Sequence, residues 1–162
     1  MAGIGLVYDE RTGGDIDLIN GSTDILHTYF NKNLSRRYTG LFSMEKLIDS
    51  NTELVIKANG GILNRSISLS DYEFRGKQYS GFAGIKLGKR LEKLTVTGGM
   101  DFSLVDFRED ELLEDTLRDY ENLHAGAFIH SIYNLTEILS LESGLRYNYQ
   151  KDYGSFLLPE IA

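Results

Sequence analysis

Leu139-Ser140-Leu141-Glu142-Ser143-Gly144-Leu145-Arg146-Tyr147-Asn148-Tyr149-Gln150 divides cleanly by parity. Leu139, Leu141, Ser143, Leu145, Tyr147 and Tyr149 form one set; Ser140, Glu142, Gly144, Arg146, Asn148 and Gln150 form the other. Residues at i and i+2 share a side only in an extended chain, and no 3.6-residue period fits this order. The stretch therefore predicts a β-strand with one apolar and one polar face.

Working outward, the same period recurs. Leu94, Val96, Gly98, Met100, Phe102 and Leu104 oppose Thr95, Thr97, Gly99, Asp101 and Ser103. Tyr79, Gly81, Ala83, Ile85 and Leu87 oppose Ser80, Gly84, Lys86 and Gly88, with Phe82 out of pattern. Leu54, Ile56, Ala58, Gly60 and Ile62 oppose Glu53, Lys57 and Asn59, with Val55 and Leu63 as exceptions. Weaker alternation covers 2–8, 37–46 and 123–133, and a further strand begins at Ser155. The pattern predicts an all-β chain: an antiparallel up-and-down meander of seven to eight long strands, occupying residues 1–162 as one unit.

The expected connections alternate in length. Short ones fall at 48–51, 89–92 and 134–136, and long ones at 9–35, 65–77 and 107–120. Short turns at one end and long loops at the other describe an outer-membrane barrel, whereas Greek-key crossings in soluble sandwiches mix the lengths. Strands of eleven or more residues exceed the five or six usual in soluble domains and suit a tilted membrane strand. Within the third long loop, Leu113, Leu117 and Tyr120 recur at helical spacing and predict a short amphipathic turn.

Composition narrows the classes further. Seventeen glycines, ten tyrosines and eight phenylalanines accompany a single proline, Pro159. A net charge of -7 argues against nucleic acid, which demands a basic footprint. The absence of cysteine excludes disulfides, thiolate metal sites and cysteine nucleophiles. No apolar run approaches the roughly 20 residues of a membrane helix. Residues 1–5 lack the basic start and apolar core of a signal peptide, as expected if Met1 was added to an excised fragment.

Motifs for chemistry are sparse. His27, His124 and His130 show no metalloprotease spacing, and no serine or threonine sits with a recognisable base. Asp15, Asp17 and Asp24 match no complete calcium loop, so the acidic loops read as solvated charge. No cofactor and no catalysis are expected. Gly60-Gly61 and Gly98-Gly99 lie inside strand patterns and predict bends or close packing. Tyr8, Tyr38, Tyr147, Tyr149 and Tyr153 sit at strand ends, as rings do at a membrane interface.

Several stretches resemble the barrel of TonB-dependent outer-membrane receptors of the Bacteroidetes type. The strand 139–149 with Asp152-Tyr153-Gly154-Ser155-Phe156-Leu157-Leu158-Pro159 is similar to the family's glycine-leucine-arginine strand and its trailing tyrosine-glycine and leucine-proline. Gly126-Ala127-Phe128-Ile129 before Tyr133 resembles the strand preceding it. Arg11-Thr12-Gly13-Gly14-Asp15, His27-Thr28-Tyr29-Phe30 and Arg36-Arg37-Tyr38 resemble an earlier extracellular loop and the strand after it. The resemblance implies an internal barrel segment, with the plug domain and remaining strands of a barrel of about 22 strands absent. It departs from the family in having no recognisable TonB box, in ending Glu160-Ile161-Ala162, and in carrying Glu160 where a basic residue is usual.

By that resemblance the chain belongs to the bacterial outer membrane and to uptake of an iron chelate, cobalamin, glycan or other small nutrient. Its partners would be membrane lipid, a plug and TonB, with no nucleic acid. Glu142, Arg146 and Asn148 would face the lumen, where Glu142 and Arg146 could pair with a plug. Asp15, His27, Tyr29 and Arg36 would belong to the ligand-facing loops. Two other readings of the alternation remain: a self-contained eight-stranded outer-membrane barrel with a structural or adhesive role, and a soluble lipocalin-like barrel with its apolar faces inside.

Overall fold

The computed structural model describes residues 1–15, 29–70, 72–110 and 118–162. Within them the chain forms eight antiparallel strands: β1 Ala2–Gly14, β2 Phe30–Asp49, β3 Thr52–Leu69, β4 Glu73–Arg90, β5 Leu94–Glu109, β6 Tyr120–Asn134, β7 Ser140–Gln150 and β8 Gly154–Ile161. They make one sheet in sequence order, the expected up-and-down meander, with β1 and β8 as its edges. The sheet is open: no pairing joins β1 to β8 among the described residues.

The strand ends Gly14, Phe30, Leu69, Glu73, Glu109, Tyr120, Gln150 and Gly154 lie at one end, here the upper end; Asp49, Thr52, Arg90, Leu94, Asn134 and Ser140 lie at the lower end. The lower turns are closed locally. The Asp49 carboxylate accepts from the Asn51 N–H at 2.8 Å, and the Thr136 hydroxyl accepts from the Leu139 N–H at 3.0 Å. Such side-chain caps let a reversal of a few residues satisfy its own backbone.

The strict long–short alternation is corrected by the structure. Residues 65–69 and 73–77 continue β3 and β4, so that upper connection shrinks to 70–72; the 151–153 connection is equally short. Asp9 and Glu10 likewise belong to β1, and 30–35 to β2. These segments carry little apolar alternation, yet Asn31–Leu69 and Ser68–Glu73 pairings hold them extended. Cross-strand backbone bonds form whatever the side chains are, so strands outrun their apolar pattern. The expected helical turn falls mostly on residues 111–117, outside the described residues, while Tyr120 and Asn122 belong to β6.

Register turns eight separate alternations into two continuous faces, because paired residues point the same way. One row of partners runs Met44–Ile56–Ile85–Met100–Ala127–Tyr147–Leu157. The neighbouring row on that face runs Ala2–Phe42–Ala58–Ala83–Phe102–Ala125–Tyr149–Ser155. The apolar residues found at alternate positions in 54–62, 79–87, 94–104, 123–133 and 141–149 all lie on this face, and none of the positions is charged. Residues out of pattern by parity, Val55, Leu63 and Phe82, lie on the other face.

This sheet has no core. Among the described residues no hydrophobic side chain is buried, and Met100 and Ile129 are 60% and 55% exposed. The chain exposes 11787 Å², about 3,700 Å² more than the roughly 8,100 Å² expected of a compact 18.3 kDa monomer. A sheet with an apolar face must bury it against something. Here that cover is not another part of the described chain.

Candidate functional site

On the polar face one charged cluster ties three strands together. Asp101 on β5, Gly126 on β6 and Asn148 on β7 are successive partners in one row. Arg146, one step down β7, reaches across β6 and donates from one guanidinium nitrogen to both Asp101 carboxylate oxygens at 2.8 Å. Its Nε donates to Asn148 Oδ1 at 2.7 Å, and its guanidinium lies 5.8 Å from the centre of the Phe128 ring. His124 closes the cluster, with Nδ1 3.7 Å from Asp101 and Nε2 3.4 Å from Asn148 Oδ1.

Gly126 makes this crossing possible. A Cβ there would lie 2.7 Å from the Arg146 guanidinium, 2.8 Å from Asp101 Oδ2 and 2.9 Å from Asn148 Oδ1. Gly99 has the same use beside it, since a Cβ would meet the Phe128 ring at 2.7 Å. The close packing expected for the Gly98-Gly99 pair is therefore found at Gly99. A hollow of about 290 Å³ opens on this part of the face, lined by Lys57, Phe82, Lys86, Asp101, Phe128 and Arg146 among others.

Glu142, Arg146 and Asn148 share this face, as their parity requires. Glu142 and Arg146 nevertheless have partners within the sheet: Glu142 Oε1 lies 2.6 Å from His130 Nε2, and Arg146 is held by Asp101 and Asn148. His124 and His130 fall on one face without meeting, each serving a different β7 partner. No local motif marks Asp101 or Gly126 as a site residue. Parity places Asp101 on a polar face, but only register sets it across from Arg146.

The residues expected in ligand loops scatter. Arg36 lies within β2, opposite Tyr8 and on the apolar side of the sheet. Asp15 donates its N–H to the Tyr29 carbonyl at 2.9 Å, continuing the β1–β2 ladder by one step. His27, like Asp17 and Asp24, lies outside the described residues.

A second cluster caps the upper end of the polar face. The Phe74, Phe107 and Tyr120 rings stack in series, with centroids 6.3 and 5.3 Å apart. Arg118 lies 5.2 Å over Phe74 and donates to the Glu109 carboxylate and the Tyr72 hydroxyl. Those hydrogen bonds from Arg118 hold the Glu109 carboxyl below the usual glutamate range, and they push Arg118 itself up.

A depressed carboxyl contributes above its unfolded pKa and loses that contribution as pH falls through its folded value. Below the ordinary glutamate pKa of about 4.3, Glu109 should begin to release Arg118. Hydrogen exchange at the Arg118 amide, which donates to Glu109 at 2.9 Å, should then quicken relative to mid-strand amides. In Glu109→Ala, which leaves the Arg118 N–H without a side-chain acceptor, the amide should exchange quickly at neutral pH too, with the acid-dependent step gone.

Chemically, these clusters hold and orient. Among the described residues no group of three histidine, aspartate or glutamate side chains is placed to hold a metal ion. No family model matches the chain, and no curated protein does.

Proposed function

We propose that this chain is a section of the wall of a TonB-dependent outer-membrane receptor that takes up a small nutrient. The observation that carries the membrane part of this reading is the charge-free face. Its apolar stretch spans nine residues on β3 and β4, at 54–62 and 79–87, and eleven on β5 and β6, at 94–104 and 123–133. A tilted strand needs about 9–11 residues to cross a bilayer. Charges return just beyond: Lys46 and Lys89 below; Arg36, Lys77, Asp106, Glu121 and Lys151 above. Tyr8, Tyr38, Tyr79 and Tyr149 stand toward the upper margin of the same face, where amphipathic rings settle at a membrane interface.

In this reading lipid supplies the cover that the sheet lacks, and the polar face lines a lumen. The receptor assignment rests on the sequence resemblance in 126–133 and 139–159. Plug, TonB and ligand belong to it as partners of the whole receptor.

The soluble alternative puts the apolar face inside a closed barrel. That face carries Gly40, Gly60, Gly81, Ala58, Ala83, Ala125 and Ala127, whose small side chains fill little volume. A lipid-facing surface has no such demand, since acyl chains conform to it.

The test is insertion. Refolded with phosphatidylcholine vesicles, the chain should float with them and give a β-type circular dichroism spectrum; without lipid or detergent it should precipitate. Trypsin added outside should cut at the 110–119 connection and spare the 91–93 turn, or the reverse, according to the direction of insertion. A monodisperse monomer in plain buffer would sink the membrane reading.

A further inference from the structure

One row of partners at the upper margin of the apolar face runs Tyr8–Arg36–Asn64–Lys77–Arg108 across five strands. Three of its five side chains are cationic, and Lys77 stands directly opposite Arg108. Like charges in that position repel unless something neutralises them. Arg108 is served by Asp106 at 2.8 Å and Asp119 at 3.5 Å. Nearby, Arg75 pairs with Glu73, and Lys32 with Glu10.

Arg36 and Lys77 differ. Neither forms a direct ion pair with a carboxylate among the described residues, although Arg36 is near enough to help Lys32 hold the Glu10 carboxyl below its usual range. Instead each lies over a tyrosine ring, Arg36 at 5.5 Å from the centre of Tyr8 and Lys77 at 4.8 Å from that of Tyr79. They are two strands apart in one row, hence about 10 Å between backbones. Asn64 stands between them, and Ser66 follows it one step further out. A hollow of about 490 Å³ lies here, with Arg36, Asn64, Ser66, Arg75 and Lys77 in its lining together with one carboxylate, Asp110.

We propose that this hollow holds the phosphate of an anionic lipid headgroup from the leaflet at the upper end of the sheet. The chemistry fits an oxyanion: a guanidinium fork, an ammonium, an amide and a hydroxyl all donate. The height fits a lipid. Arg36 and Lys77 are each one same-face step beyond Tyr38 and Tyr79, at the edge of the charge-free stretch where a headgroup begins. A phosphate there would also relieve the opposed Lys77 and Arg108.

The proposal rests on the membrane reading, and the experiment separates the two. The full chain is inserted into phosphatidylcholine vesicles, and association of spin-labelled phosphatidic acid is compared with that of spin-labelled phosphatidylcholine. Phosphatidic acid should be preferred, and Arg36→Gln with Lys77→Gln should weaken the preference by about fivefold for each cation removed. The double variant must insert with an unchanged circular dichroism spectrum. Should its spectrum change, Lys77→Gln alone carries the comparison, against Lys86→Gln on the polar face as control.

Insertion without a preference, or a preference the variants leave intact, overturns the headgroup site while the membrane reading stands. Loss of the preference in millimolar inorganic phosphate overturns the lipid as occupant in favour of a free anion. Failure of the native chain to insert overturns both.

Discussion

Met100→Arg is expected to destabilise the chain in a bilayer by about 2–4 kcal/mol, the cost of a cation on the lipid face near the midplane. Met100 lies midway along the apolar stretch of β5, between Ile85 and Ala127, and is 60% exposed. Arginine there must either strip its hydration or drag water into the hydrocarbon. By itself that result does not tell lipid from a packed interior, since either rejects the charge.

Met100→Trp makes the distinction. Lipid yields to a larger ring, so the variant should unfold in urea within about 1 kcal/mol of the native chain, below the 1–3 kcal/mol that overpacking costs in a filled core. Measured side by side in vesicles, damage from arginine with tolerance of tryptophan supports lipid exposure. Equal damage from both would favour a closed apolar core.

The second large effect is expected on the opposite face, at Gly126. Gly126→Val would press branched carbon into the space where Arg146 crosses to Asp101. Overpacking typically costs about 1–3 kcal/mol. Losing charge-assisted hydrogen bonds adds about 1.5–3 kcal/mol for each partner displaced. Arg146 is 35% and Asp101 19% exposed, so water recovers part of the second amount. A total near 3 kcal/mol is the expectation.

Gly81→Val is the control, because a Cβ there meets nothing within 4 Å. It sits on the apolar face, where valine suits a strand, and should be close to neutral. A double-mutant cycle on Asp101→Ala and Arg146→Met should give a coupling that disappears in the Gly126→Val background. If Gly126→Val and Gly81→Val cost the same, the crossing does not matter to stability.

The resemblance in 126–133 and 139–159 touches β6 and β7, two of the three strands that carry this cluster, yet a motif cannot show the cluster. Arg146 is conspicuous in its strand. Asp101 lies 45 residues away in a different alternation. Nothing local links them, because a strand's period says which face a residue takes and nothing of which neighbour it meets. His130 and Glu142 were hidden in the same way.

Residue order alone carries the period: strands around 54–62, 79–87, 94–104 and 139–150, and the division of each into an apolar and a polar side. That division is local, since alternation in an extended backbone needs no partner. Tertiary structure decided the rest. Strand ends at Gly14, Phe30, Leu69 and Glu73 lie beyond the apolar pattern, because backbone pairing with a neighbour holds polar residues extended as readily as apolar ones. Register decided that eight apolar sides form one unbroken face, that Arg36 joins Lys77 at its margin, and that Asp101, Gly126 and Arg146 converge. A one-residue slip would reverse every side chain of a strand. Register is a relation between strands, and no single strand contains it.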